Sequence, residues 1–233
     1  MKTELDKPRV EKIGAIILAA GRSTRMDGID KITTAILGRS LLSYSLDLFE
    51  SISFIEKIAV VGSVNTIDDV NQLIQGNGYT KAQVVVGGER RQDSARLGLQ
   101  ALGDTEFTLV HDAARPCITE SLVCKALQIA ADKGTAVPVI PVSDTVKEIN
   151  DDGTVKKTLI RGKLFRSQTP QVFMTGLLIK AHKEVISDVT DDASMLEMIG
   201  HPVNIFEGSE ENIKVTTRLD LEIVETILRH RIT

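Results

Sequence analysis

Residues 12–21 read Lys12-Ile13-Gly14-Ala15-Ile16-Ile17-Leu18-Ala19-Ala20-Gly21, an apolar run that stops in two small residues and a glycine. A run this short and uniformly apolar, ended by a turn signal, reads as a strand buried on both faces. Helical spacing follows over residues 41–49. Similar apolar runs recur at residues 58–61, 82–86, 107–110 and 135–142, and each is a candidate strand. Between them, residues 66–75, 92–102 and 120–133 are amphipathic and long enough to return the chain to the start of a parallel neighbour. The alternation predicts an α/β fold, a three-layer arrangement with a mostly parallel twisted sheet between helices. Function then belongs at the carboxyl ends of the strands.

The rhythm breaks over residues 143–171. Polar, β-prone stretches at 145–149 and 155–159 flank the turn signal Asn150-Asp151-Asp152-Gly153, which predicts a projecting hairpin. A hairpin with little core of its own finds its packing on another chain, so a dimerisation arm is expected. Helices are then expected over 175–185, 191–199 and 218–229, with short strands near 203–206 and 213–215. Without a repeat or linker, residues 1–233 are expected to form a single domain that includes the arm.

Composition narrows the function classes. Apolar residues make up 42% and charged residues 26% of the 233, ordinary values for a folded chain. The net charge of −4 gives a polyanion no bulk attraction, so nucleic acid is not expected as a partner. No apolar run approaches the roughly 20 residues needed to cross a bilayer, and the first twelve residues are charged, so no membrane partner and a cytoplasmic location are expected. Two cysteines, Cys117 and Cys124, and four histidines without ligand spacing give no reason to expect a metal held by the protein.

Three clusters could carry chemistry. Leu18-Ala19-Ala20-Gly21-Arg22-Ser23-Thr24-Arg25-Met26 lies where the first strand enters a loop, and small residues there let backbone N–H groups approach phosphate oxygens. Arg25 and Lys31 add positive charge. The spacing is neither GxxxxGK[ST] nor GxGxxG, and a plain glycine-bearing turn is the bland alternative. Gly87-Gly88-Glu89-Arg90-Arg91-Gln92-Asp93-Ser94 could present backbone groups to a base, or be only a loop with a helix cap at Gln92 or Asp93. Val110-His111-Asp112-Ala113-Ala114-Arg115-Pro116 ends another strand. A carboxylate at such a strand end can meet a ribose hydroxyl or a phosphate-bound cation, against a surface ion pair, and Asp112 and Arg115 are the candidates here.

Together with Pro141-Val142-Ser143-Asp144-Thr145-Val146-Lys147, Gln168-Thr169-Pro170-Gln171, Thr190-Asp191-Asp192-Ala193-Ser194 and Asn212-Ile213-Lys214-Val215-Thr216, these segments resemble one family, the 2-C-methyl-D-erythritol 4-phosphate cytidylyltransferases. The resemblance runs in order from about Ile13 to the C-terminal helix. It implies a Rossmann-like nucleotidyltransferase fold and a reaction of CTP with the alcohol phosphate that releases pyrophosphate, in the non-mevalonate isoprenoid pathway. Magnesium would travel mainly with the triphosphate.

By the same resemblance, Arg25 and Lys31 would stabilise the transition state, while Arg161 and Lys214 would hold the alcohol's phosphate. Ala19, Ala20, Gly21 and Gly88, with Glu89 and Ser94, would surround the cytidine. Asp112, Ala113, Arg115, Thr145, Thr169 and Thr190 would face the ribose or the alcohol phosphate. Thr145 and Arg161 would reach the partner's site in a homodimer. Thr190-Asp191-Asp192 also suits a helix N-cap. The chain departs from the family pattern at Asp30-Lys31-Ile32, where Pro-Lys-Gln is usual, and its loop is one residue shorter. Two other readings stay open at this point: a ribitol 5-phosphate cytidylyltransferase and a catalytically silent nucleotide-binding regulator.

Overall fold

The structure, a computed structural model, describes residues 11–20 and 34–232. Gly21, Arg25 and Lys31 lie outside the described residues. The opening apolar run is β1 (Ile13–Leu18), followed by a small pair, β2 (Ala35–Ile36) and β3 (Arg39–Ser40), and by α1 (Leu41–Ser51). The β-α rhythm continues through β4 (Ile55–Gly62), α2 (Ile67–Asn77), β5 (Ala82–Val86), α3 (Arg91–Leu102), β6 (Phe107–Asp112), α4 (Glu120–Lys133) and β7 (Thr135–Pro141). The second half carries β8 (Lys147–Ile149), β9 (Val155–Thr158), β10 (Phe165–Ser167), β11 (Gln171–Met174), α5 (Thr175–Glu184), α6 (Asp192–Met198), β12 (Ile205–Glu207) and α7 (Arg218–Ile232).

Successive β1 side chains point to opposite faces of the sheet, and both faces are covered. Ile13, Ala15 and Ile17 enter one apolar layer with Leu42, Leu46 and Phe49 of α1 and Val123 and Leu127 of α4. Ile16 enters the other, with Leu99 and Leu102 of α3, Leu178 of α5 and Leu196 of α6. Full burial of each such side chain contributes roughly 1.5–3 kcal/mol, and β1 carries no polar residue. Gly98 lets α3 lie close on the sheet, since a Cβ there would stand 2.7 Å from Ile16 Cγ2. A third apolar group joins Ile36 and Leu41 to Val215, Val224 and Leu228, which seats α7.

The main sheet runs β10-β7-β11-β6-β1-β4-β5, with β12 also paired to β7. The β6-β1-β4-β5 portion is parallel, as expected. The sequence reading did not foresee β11, which inserts antiparallel between β6 and β7 and separates two strands that α4 connects. β10 and β11 both run antiparallel to β7, and Gln168-Thr169-Pro170 interrupts them. That break turns Thr169 toward the end of β6, where its hydroxyl accepts from the Asp112 N–H at 3.1 Å.

Two expectations are corrected. Residues 213–215 form no strand: Val215 N–H goes to Ala114 O and Ile213 N–H to Glu211 O, so neither joins a ladder. The projecting part is narrower than 143–171, because β10 and β11 belong to the main sheet and only β8 and β9 stand apart as a two-stranded hairpin. No helix among the described residues is long and apolar enough to cross a membrane.

Candidate active site

The parallel strands end level with one another. Leu18 is in register with Val61 and Asp112, and Gly62 with Val86, so the loops after β1, β4, β5 and β6 open on one edge. Ala19 and Ala20 leave β1 there. The Ala19 N–H is committed to Val61 O at 2.8 Å and the Ala113 N–H to Leu18 O at 3.0 Å, so these residues shape the edge by their smallness rather than by offering those N–H groups. Gly87 abuts the first loop: a Cβ on it would stand 2.8 Å from both Ala20 Cβ and Ser94 Oγ. Ser94 is buried and its hydroxyl bonds the N–H of Gly88 at 3.2 Å, so it holds the Gly87-Gly88 turn in shape. Glu89 is exposed beside it. The expected cap at Gln92 or Asp93 is instead Arg90, and Asp93 pairs with that arginine at 2.8 Å.

A cleft of about 220 Å³ lies at the end of β6, lined by Arg91, Asp112, Arg115, Ser167, Gln168, Thr169, Gln171, Thr190, Asp191 and Lys214. It brings together Asp112, Arg115, Thr169, Thr190 and Lys214, five of the residues expected from the sequence. Asp112 is its centre. Lys214 Nζ donates to Oδ2 at 2.6 Å, Arg91 donates to Oδ1 at 3.4 Å, and Arg115 Nε stands 4.0 Å from Oδ2. Burial would raise the Asp112 carboxyl, but Arg91, then Lys214 and Arg115, override it and hold it well below the usual carboxylate range. Arg115 is itself pulled down by burial, partly offset by Asp112. Its Nε is buried and makes no hydrogen bond among the described residues.

The segment carrying Lys214 is pinned from several sides. Asn212 donates to the Thr169 carbonyl at 2.8 Å, Arg115 donates to the Asn212 carbonyl at 2.7 Å, and Val215 N–H donates to Ala114 O at 2.8 Å. Opposite, Asp191 caps α6 by accepting from Ser194 N–H at 3.0 Å, and its other oxygen accepts from Gln171 at 2.8 Å. Thr190 is exposed at the rim.

Sequence reasoning missed Arg91, which bridges fully buried Asp192 at 2.6 Å and Asp112. Nothing in Arg90-Arg91 marks one arginine for the surface and one for the cleft; only the first-turn position of Arg91 on α3 does. Gln168, Gln171 and His111 were quoted within motifs but given no role. Thr145 and Arg161 stand exposed on or beside the hairpin, Arg161 donating to the Ser143 carbonyl at 2.7 Å, and neither is among the cleft-lining residues.

Comparison with known proteins gives this arrangement its class. The fold superposes on the 4-diphosphocytidyl-2C-methyl-D-erythritol synthase of Anaerococcus prevotii DSM 20548 with a TM-score of 0.83 at 29% identity, covering 94% of this chain and 96% of that one. It superposes on the 2-C-methyl-D-erythritol 4-phosphate cytidylyltransferase of Thermus thermophilus with a TM-score of 0.75 at 31% identity, covering 94% and 99%. The protein is therefore an α/β enzyme of the nucleotidyltransferase class. Residues 13–230 match the family 2-C-methyl-D-erythritol 4-phosphate cytidylyltransferase (IspD). A curated relative of that name from Dehalococcoides mccartyi strain 195 is 42% identical over 220 residues, 94% of this chain and 97% of the relative, and one from Clostridium novyi is 39% identical over 222 residues, 93% and 96%. The chain belongs to this cytidylyltransferase family, which goes against both the ribitol reading and the silent-regulator reading.

Proposed function

We propose that the cleft around Asp112 receives 2-C-methyl-D-erythritol 4-phosphate and that the adjoining edge formed by Ala19, Ala20, Gly88, Glu89 and Ser94, together with Gly21 from outside the described residues, receives the cytidine of CTP. A phosphate oxygen of the alcohol attacks the α-phosphorus, and the α–β anhydride bond breaks. Pyrophosphate leaves with the bonding electron pair, and the product is 4-diphosphocytidyl-2-C-methyl-D-erythritol. The attacking oxygen is already anionic near neutral pH, so no general base is required. The difficulty is the approach of two anions, and fixed cations supply what is needed.

One observation carries this reading: Arg91, Arg115 and Lys214 converge on a single buried carboxylate at the carboxyl edge of the sheet. The carboxylate holds the cations in place before the phosphate arrives. Lys214 would then share its three N–H donors between Asp112 and the phosphate, and Arg115 Nε has a donor to offer. Arg25 and Lys31, outside the described residues, would stabilise charge on the α-phosphate. Arg161 and Thr145, exposed on the arm, would serve the partner's cleft in a homodimer. Ala113 and Thr190 would border the alcohol, and Thr169 would bond it.

Among the described residues no three acids, histidines or cysteines gather to hold a metal, and the Asp112 oxygens are already engaged by Lys214 and Arg91. Magnesium would be held by the CTP phosphates, where it screens their charge. Residues 1–233 would act as one domain with its arm, and two water-soluble anionic substrates suit a cytoplasmic location. The test is pyrophosphate release from CTP and magnesium with methylerythritol phosphate or with ribitol 5-phosphate. Faster turnover of methylerythritol phosphate is expected; ribitol phosphate as the better substrate would overturn the substrate assignment.

A further inference from the structure

His111, one residue before the end of β6, is fully buried and has no part in the steps above. Its ring is fixed on several sides. Nδ1 lies 3.0 Å from the Thr169 hydroxyl, Nε2 lies 3.3 Å from the Arg115 carbonyl oxygen and 3.2 Å from the Ser45 hydroxyl, and Phe49 packs edge-on at 5.4 Å between centroids. The carbonyl decides where the ring hydrogen sits. A carbonyl oxygen only accepts, so Nε2 carries the hydrogen and donates to Arg115; a bare Nε2 would oppose two lone pairs. Burial pushes the His111 pKa down to about 3, so Nδ1 stays bare at neutral pH.

The consequence falls on Thr169. A bare Nδ1 only accepts, so Thr169 gives its one hydroxyl hydrogen to His111. The same oxygen accepts from the Asp112 N–H at 3.1 Å. What remains for the cleft is a lone pair. The other tautomer would leave the hydroxyl hydrogen free to meet a phosphate oxygen.

We infer that His111 is a positioning residue that sets the hydrogen-bond polarity of the cleft, committing Thr169 to accept from a hydroxyl of the alcohol and not to bind its phosphate. This rests on the cleft being the alcohol phosphate's site. The Asp112 carboxylate beside Thr169 is likewise an acceptor, while Arg115 and Lys214 carry only donors. The cleft thus offers two kinds of partner side by side, acceptors that suit hydroxyls and donors that suit phosphate, which orients the substrate for attack.

Two-bond ¹H–¹⁵N correlation spectra of the free protein, labelled at histidine nitrogen and assigned with His111→Asn, read the tautomer directly. A neutral ring protonated at Nε2 is expected at pH 7, and protonation at Nδ1 overturns the inference. In kinetics, His111→Leu should raise the KM for the alcohol phosphate about tenfold, the effect of one lost hydrogen bond, with the KM for CTP within twofold. His111→Asn, whose amide oxygen replaces the Nδ1 acceptor, should recover most of the loss. Equal changes in both Michaelis constants, or none, mark a merely structural histidine. Should His111→Leu fail to fold, the spectra of the parent decide. If Thr169→Val leaves the alcohol KM unchanged while Nε2 is protonated, the cleft assignment fails rather than the tautomer, and the inference falls with it.

Discussion

Asp112 and His111 are neighbours on β6 that burial drives in opposite directions. Burial favours the neutral form of both, yet Arg91, Lys214 and Arg115 keep Asp112 charged while His111, without a close counter-ion of that strength, stays neutral. The histidine makes stability pH-dependent. An unfolded histidine takes up a proton as pH falls through roughly 6.5, whereas His111 waits until about 3. Between those values the unfolded state binds the extra proton, so this contribution is full above pH 6.5 and is lost as pH falls. His182, also pushed down by burial, acts in the same direction, while the lowered Asp112 contributes in full above about pH 4 and so adds no change between pH 7 and pH 5. Urea unfolding at pH 7 and pH 5 should therefore show the stability gap between the parent and His111→Asn shrinking by about 2 kcal/mol at the lower pH. A gap that widens would contradict a buried neutral ring.

At the scale of elements, the β8–β9 hairpin is what the cleft of one chain leaves unused. It carries exposed Ile149 and Val155, with Ile160 71% exposed just beyond, an apolar surface that a solvated loop has no reason to keep. If the arm completes the partner's cleft, two inactive variants should rescue each other. Lys214→Gln removes a residue of the cleft and Arg161→Ala one of the arm, so a mixed dimer has one intact site. Mixing equal amounts after subunit exchange should restore about a quarter of parental activity, because half of the dimers are mixed and each has one working site of two. No recovery, in a preparation shown to exchange, would place Arg161 and Lys214 in the same chain's site. The hairpin was legible because Asn150-Asp151-Asp152-Gly153 is a local turn signal, and β1 because both its faces meet core. β10 and β11 were not legible: Phe165-Arg166-Ser167 is exposed throughout, and Gln171–Met174 becomes a strand by pairing with β7 and with β6, the latter more than sixty residues away. Ile213-Lys214-Val215 looked like a strand by composition, but Val215 turns into the α7 core and its N–H goes to Ala114, so tertiary contacts prevail over β-propensity.

For the whole molecule, net charge says little about the cleft, where Arg91, Arg115 and Lys214 stand among the carboxylates of Asp112, Asp191 and Asp192. The chain carries −4 overall, which would repel a nucleotide at long range, yet three of its cations converge on one carboxylate at the sheet's edge. What matters to two approaching anions is the local field within a Debye length of roughly 8 Å, not the total. The fold makes that field by bringing Arg91, Asp112 and Lys214, 102 residues apart between the last two, onto one edge. In the proposed function, carboxylate and cations form a preorganised receptor for phosphate that has no proton to move. Steady-state pyrophosphate release by Lys214→Gln tests this most directly. The account predicts a fall in kcat/KM for methylerythritol phosphate of about a hundredfold or more, the scale of losing one aimed charge donor, with the KM for CTP within twofold. A kcat/KM within twofold of the parent would contradict it.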